Sequence, residues 1–357
     1  MTQPVLDAPA FGSTDAFTLG VEQELFLVDA VGRQRNAGGH VLEALPELAR
    51  GQVSAEVHAC QVELISGVCR SAEEAIADLR ALRDAVLGVG VGLLGTGIHP
   101  TAREGEAEIT DKERYNFISA LLGDALVDPV GALHVHVGMP DAETAIRAFN
   151  GLRPHLPLLE ALAANSPFRH GRDTGLASAR EITLRAWPRS GTPRAFGDWA
   201  DFRSMAEGLT RVAEVPDYTF HWWKLRPHPQ LGTVELRALD AQASLAHTEA
   251  LVKLAHALAR YAAVSPPDWS PAPEILEEAS FRACREGLDA RLPDREAALR
   301  PARDLLDDLL DRVQPDEDPC LRALLVEGGG AGVQRASASQ DGNLDEVLAE
   351  LRRRAQT

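Results

Sequence analysis

Three stretches of this chain place polar side chains two residues apart inside apolar, strand-forming sequence, and they constrain the fold most. They are Glu22/Glu24 in Val21-Glu22-Gln23-Glu24-Leu25, His134/His136 in Leu133-His134-Val135-His136-Val137, and Glu235/Arg237 in Val234-Glu235-Leu236-Arg237. Successive strand side chains point to opposite faces, so each pair leaves from one face. A solvated sheet face makes one such pair often. Three of them, all Glu, His or Arg, predict a single polar sheet face lining a cavity.

The remaining periodicities supply a frame for that face. Phe17 to Val28 reads as a strand, residues 53–68 as a second strand region, and residues 91–97 and 130–140 as two more. Ser71 and Glu74 form a capping box opening a helix to about Val86, with Ala75, Ile76, Leu79, Leu82 and Val86 at helical spacing. Asp111–Leu122 reads as a helix. Asp141 can cap another, which runs to about Ala164 and is disturbed by Pro154 and Pro157. Residues 165–193 are polar and fit neither period. Phe196–Val212 reads as helix, and Thr219–Arg226 and Thr233–Leu239 as strands around a Pro-Gly turn.

After Ser244 the pattern is helical, over 244–264, 273–288, 295–313 and 343–355, with a flexible loop expected from the glycines at 328–330 to Ser339. Regular βαβ alternation is missing, which favours an α+β fold with a largely antiparallel sheet. Residues 1–15 read as a loose tail. Residues 16–357 read as one domain with a mostly helical part over about 244–357.

Composition excludes several function classes. The 357 residues are 45% hydrophobic and 25% charged, an ordinary globular balance with a net charge of −17. So acidic a chain is not expected to bind nucleic acid or an anionic membrane surface. The most apolar stretch, Val86–Leu94, is broken by Gly88, Gly90 and Gly92 and is too short to span a bilayer. The first twenty residues show no basic segment followed by an apolar one, so no signal peptide is expected. Cys60, Cys69, Cys284 and Cys320 are scattered and read as reduced thiols of a cytoplasmic protein.

The polar pairs suggest their own chemistry. Carboxylate-rich clusters suit a hard cation such as magnesium. Glu56 and Glu63 add two carboxylates, but their odd separation requires a bulge near Ala59 or Cys60 if both are to reach one site. His134 and His136 could instead be a zinc pair with a third ligand. Arg114, Arg172, Arg180, Arg226, Arg237 and Arg285 lie in or near motif-like segments, and guanidinium forks match carboxylate and phosphate. Gly95-Thr96-Gly97 matches neither a P-loop nor a dinucleotide fingerprint, and there is no serine-nucleophile elbow.

Several longer blocks then occur in a fixed order: GVEQELFLVD, QVELISGVCR, ALHVHVGMPD, LAANSPFRHGRDTG, RAWPRSGTP and RPHPQLGTVELRALDAQ. Together they resemble the bacterial carboxylate–amine ligases of the type-two glutamate–cysteine ligase family, over about Phe17 to Arg260 with a fainter echo at 281–290. The resemblance implies a glutamine-synthetase-like fold, with a curved, mainly antiparallel sheet forming a funnel flanked by helices. It implies ATP and magnesium, with manganese as a substitute, and an acyl-phosphate reaction between an amino-acid carboxylate and an amine. It also implies a homodimer or larger homo-oligomer.

Position by position, the resemblance makes Glu22, Glu24, Glu56, Glu63, His134 and Glu235 metal ligands. Glu63 and Arg237 become catalytic. Arg226, Arg237, His136 and Arg285 become phosphate-binding, and Arg114, Arg172 and Arg180 substrate-binding. Gln23 stands where many relatives carry an acid, and by alternation it faces away from the site. The segment Leu176–Arg180 lacks a tyrosine associated with this block, which leaves the amino-acid substrates open. A guanidino-kinase-like phosphotransferase, a non-catalytic binding relative and a zinc hydrolase are the competing expectations.

Overall fold

Alternation of apolar and polar residues does build one sheet in the computed structural model, which describes residues 4–265, 267, 269–313 and 318–356. The strands are β1 (Leu19–Val28), β2 (Val53–Ala55), β3 (Gln61–Ile65), β4 (Gly92–Leu94), β5 (Ala132–Gly138), β6 (Phe168–Arg169), β7 (Arg172–Asp173), β8 (Leu225–His228), β9 (Thr233–Asp240), β10 (Arg291–Pro293) and β11 (Leu299–Pro301). Seven of them form a sheet in the order β2-β3-β1-β5-β9-β8, with β4 also paired to β1. Each neighbouring pair is antiparallel. The strand pairs β6–β7 and β10–β11 are separate hairpins.

One face of the sheet is the core. Val21, Leu25, Leu133, Val135, Val137, Val234 and Leu236 are buried there. Helices Ala72–Gly88, Ala142–Leu152, Leu156–Ala163 and Leu245–Val264 pack on that side. Ser71 and Asp141 cap two of them, each accepting from the amide three residues on. The break between 152 and 156 is a 3₁₀ turn over Arg153–His155, where Pro154 has no amide hydrogen to donate. This is the expected α+β architecture. No described helix is long and apolar enough to cross a membrane.

Gln23 lies on the core face as alternation requires, and it has a partner there. Its Oε1 accepts from Nε and Nη2 of Arg83 at 3.1 and 2.7 Å, and its Nε2 donates to Gln242 O and Thr248 Oγ1. Arg83 is fully buried, and burial lowers its pKa to about 9. A buried guanidinium tolerates no lost acceptor. Gln23→Leu is therefore expected to destabilise the protein by about 3 kcal/mol, read as a shift in the urea midpoint.

Several local expectations need correction. Residues 53–68 are not one bulged strand but the hairpin β2–β3, with Ser54 opposite Glu63. Glu56 stands two residues beyond Ser54, so a chain reversal brings it to the Glu63 face without a bulge. Residues 218–220 form a 3₁₀ turn, and the strand begins only at Leu225. The hairpin β10–β11 occupies the start of the expected helix at 295, which begins at Ala302. The glycine-rich segment is not a loop. Helix Pro319–Glu327 ends at Gly328, whose φ of +79° is the left-handed cap conformation. A second helix, Gly329–Ser337, follows at once. A Cβ on Gly330 would lie 2.2 Å from Asn165 Oδ1, so glycine serves close packing here. Ahead of β1, Leu6 is buried, and the amides of Ala10 and Gly12 donate to Pro229 O and Met139 O.

Candidate active site

The other sheet face carries the polar residues in register across five strands. Glu63 on β3 stands opposite Glu24 on β1, and Glu22 on β1 opposite His134 on β5. His136 stands opposite Glu235 on β9, which faces Arg226 on β8. The three pairs named from the sequence thus form one ladder.

Their side chains meet. His134 Nδ1 lies 3.0 Å from Glu22 Oε2, and its Nε2 lies 3.7 Å from Glu24 Oε1. His136 Nε2 sits 3.3 Å from Glu22 Oε1 and 3.7 Å from Glu235 Oε1, while its Nδ1 is 2.9 Å from Thr233 Oγ1. Arg226 Nε reaches Glu235 Oε2 at 2.5 Å, and Arg237 pairs with the other oxygen. Ser54 Oγ donates to Glu63 Oε2 at 3.0 Å. Glu24, Glu56, His134 and Arg237 line one cavity of about 110 Å³.

In each of two groups, Glu22–His134–Glu235 and Glu24–Glu63–His134, the ligand atoms all lie within 4.8 Å of one another. Such oxygen-rich sets fit a hard divalent cation better than zinc. Electrostatics point the same way. Burial, followed by the nearby carboxylates Glu24 and Glu22, pushes Glu56 up to about 8. Burial and the charges of Glu22, Glu56 and Glu24 push Glu63 well above the usual range. Burial also opposes ionisation of Glu22 and Glu235, but their cationic neighbours outweigh it and hold both well below that range. One end of the ladder is neutralised by Arg226, Arg237 and His136. The other end, Glu24–Glu56–Glu63, makes no ion pair with a lysine or arginine among the described residues and feels only the more distant charge of Arg237, so a metal ion would supply the missing countercharge.

A bulge hides one further anchor. Val135 faces Leu236 and Leu133 faces Leu239, so β9 carries one extra residue opposite His134. The shift turns Asp240 onto the site face, where simple alternation from Glu235 would put it in the core. Asp240 accepts from Asn165 N, Ser166 Oγ and Ser178 Oγ at 2.7–2.9 Å. It thereby ties down the polar segment that carries Arg180. Buried Arg180 donates to the carbonyls of Arg237 and Ala238 and keeps Nε without a partner at the cavity wall.

The other expected arginines divide. Arg226 is wholly engaged, binding Glu235 and the carbonyls of Thr219 and His221. Arg114, Arg172 and Arg285 do not line the cavity. Arg114 is exposed beside Thr219 and Phe220, Arg172 is exposed in β7, and Arg285 is exposed and paired with Glu286. Sequence reading missed Ser54, Thr233, Asp240, Trp187 and Trp222. Only Thr233, two residues before Glu235 in the alternating run, carried a readable signal.

The sequence profile of glutamate–cysteine ligase family 2 matches residues 18–347. A Rubrobacter xylanophilus protein provisionally named glutamate–cysteine ligase 2-3 is 39% identical, over 95% of this chain and 97% of its own. A glutamate–cysteine ligase of Natronomonas pharaonis is 34% identical, over 80% of this chain and 83% of its own. Among solved structures, the Francisella tularensis glutamate–cysteine ligase in complex with AMP is similar in fold. Its TM-score is 0.74 at 12% identity, covering 96% of this chain and 89% of that one.

Proposed function

We propose, from the premise that this chain belongs to glutamate–cysteine ligase family 2, that it is an ATP-dependent ligase joining the γ-carboxyl of glutamate to an amine. The observation that carries this reading is the ladder Glu63–Glu24–Glu22–His134, which meets Glu235 and Arg237 on one sheet face. A face that pairs excess carboxylate at one end with arginine at the other suits a polyphosphate held through cations.

Glu22, Glu24, Glu56, Glu63, His134 and Glu235 would hold magnesium, and manganese would substitute. The chemistry such an ion would supply there is neutralisation of charge on phosphate oxygens and on the approaching carboxylate. Arg237 contacts the transferring phosphoryl group. Arg226 and His136 fix Glu235 and Glu22, and Thr233 fixes His136. Arg180 receives a substrate carboxylate. A γ-carboxylate oxygen attacks the terminal phosphorus and the bond to ADP breaks. The amine nitrogen then attacks the acyl carbon, phosphate leaves, and the nitrogen loses a proton to solvent.

The reading is tested by incubating the protein with ATP, magnesium, glutamate and a panel of amines. ADP release that needs both acid and amine is expected. Release that ignores both across the panel would refute it.

A pH dependence follows. A Glu56 pKa near 8 means the metal-free folded protein binds a proton that the unfolded chain has lost above about 4.5. Stability without metal should therefore fall as pH rises from about 5 to 8. Magnesium competes with the same proton, so its apparent dissociation constant should drop by up to about tenfold per pH unit toward pH 8. Titrations with thermal melting at pH 6, 7 and 8 check both signs.

A further inference from the structure

The cavity beside Glu24 and Arg237 has a second wall. Trp187 and Trp222 line it, with Leu184 and Val57. Both indoles are fixed in place. Trp187 Nε1 donates to Ala125 O at 2.8 Å, and its ring meets Trp222 edge-to-face at 5.4 Å. Trp222 is covered by the Arg189 guanidinium at 5.3 Å from the ring centroid and packs on Phe220. Both rings are only half-buried, so each retains face or edge to offer a ligand.

The polar groups near this wall are committed internally. Ser190 Oγ is within 2.8 Å of the carbonyls of Leu184 and Trp187. Lys224 Nζ is bound by Glu160, Glu181 and Ser280. Two guanidinium nitrogens are not committed: Nη2 of Arg189 above Trp222, and Nε of Arg180, whose Nη1 and Nη2 bind the carbonyls of Ala238 and Arg237, with Nη1 3.9 Å from Asp240 Oδ1. A ligand that completes this end therefore brings a hydrogen-bond acceptor such as a carboxylate for the arginines, of which Arg180 lines the cavity, and an apolar group for the indoles.

We infer that the acceptor amine is an α-amino acid with an apolar side chain larger than that of cysteine, such as leucine or phenylalanine. Its carboxylate meets Arg180 and its side chain packs on Trp187 and Trp222. This inference rests on the ligase reading above and deepens it. The product is then a γ-glutamyl dipeptide ending in an apolar residue.

Phosphate release with ATP, magnesium and glutamate tests it, with hydroxylamine, glycine, cysteine, leucine, phenylalanine and 3-methylbutylamine as separate acceptors. Leucine or phenylalanine is expected to exceed cysteine in kcat/KM by about 10-fold or more, the scale of a few buried methylenes. Leucine should exceed 3-methylbutylamine, which lacks the carboxylate, by about 100-fold. Trp222→Ala should erase most of the leucine-over-glycine preference by raising the KM for leucine, and Trp222→Phe should restore much of it.

Turnover with hydroxylamine but cysteine preferred over leucine and phenylalanine would overturn the inference while leaving the ligase reading standing. So would a Trp222→Ala effect confined to the KM for ATP, which would give the indole to the adenine. Turnover with no acceptor, hydroxylamine included, would remove the ligase reading itself. The wild-type panel decides the matter even where a variant fails to fold.

Discussion

Glu24→Ala is expected to lower amine-dependent ADP release about 10²- to 10³-fold while leaving the fold intact, the cost of losing one preorganised electrostatic group. Glu24 faces Glu63 across β1 and β3, approaches His134 Nε2, and opens onto the cavity beside Arg237. Its side chain lies on the polar sheet face, opposite the apolar core. Its charge raises the pKa of both Glu56 and Glu63 in the metal-free protein, so its removal relieves repulsion. The melting temperature without metal should stay level or rise. The rise on adding magnesium should shrink sharply, because binding that stabilises the folded state has been weakened. Activity within tenfold of wild type would take Glu24 out of the metal site. Such opposed effects on activity and stability mark a functional carboxylate rather than a structural one.

The second large effect separates two arginines on the same carboxylate. Arg237 makes one side-chain hydrogen bond among the described residues, to Glu235, and lines the cavity. Arg237→Met should cost about 10³-fold in kcat, the lower range for an arginine facing a transferring phosphoryl group. Its effect on stability should be small, because Glu235 keeps both hydrogen bonds from Arg226. Arg226→Met should do the reverse. It strips the buried Glu235 of a partner and frees the carbonyls of Thr219 and His221, with an expected loss of about 3–5 kcal/mol. Kinetics at saturating substrate and urea unfolding of both variants separate the roles. If Arg237→Met unfolds the protein and Arg226→Met only slows it, the two assignments are exchanged.

What the sequence disclosed follows the range of each signal. Strand alternation is local, so Glu22/Glu24, His134/His136 and Glu235/Arg237 could be placed on one face from spacing alone, and Gln23 on the other. Asp240 could not, because the extra residue in β9 exists only relative to β5. Glu56 and Glu63 were brought to one face by a hairpin, and the turn at 56–60 holds no glycine or proline to announce it. Arginines were least legible. A side chain that long takes its partner from tertiary neighbours, so Arg180 reached the cavity while Arg114, Arg172 and Arg285 stayed outside it. The glycines at 328–330 misled because composition reports freedom, whereas Gly330 was fixed by the nearness of Asn165.

The central claim is that this sheet face transfers a phosphoryl group to a carboxylate before an amine displaces it. Glutamate labelled with ¹⁸O in its γ-carboxyl, turned over with ATP, magnesium and leucine or hydroxylamine, tests that step directly. Mass spectrometry of the released phosphate should find one ¹⁸O per phosphate formed, carried across when the acyl phosphate is displaced. Phosphate without label, or a stable phosphorylated product in place of an amide, would contradict it.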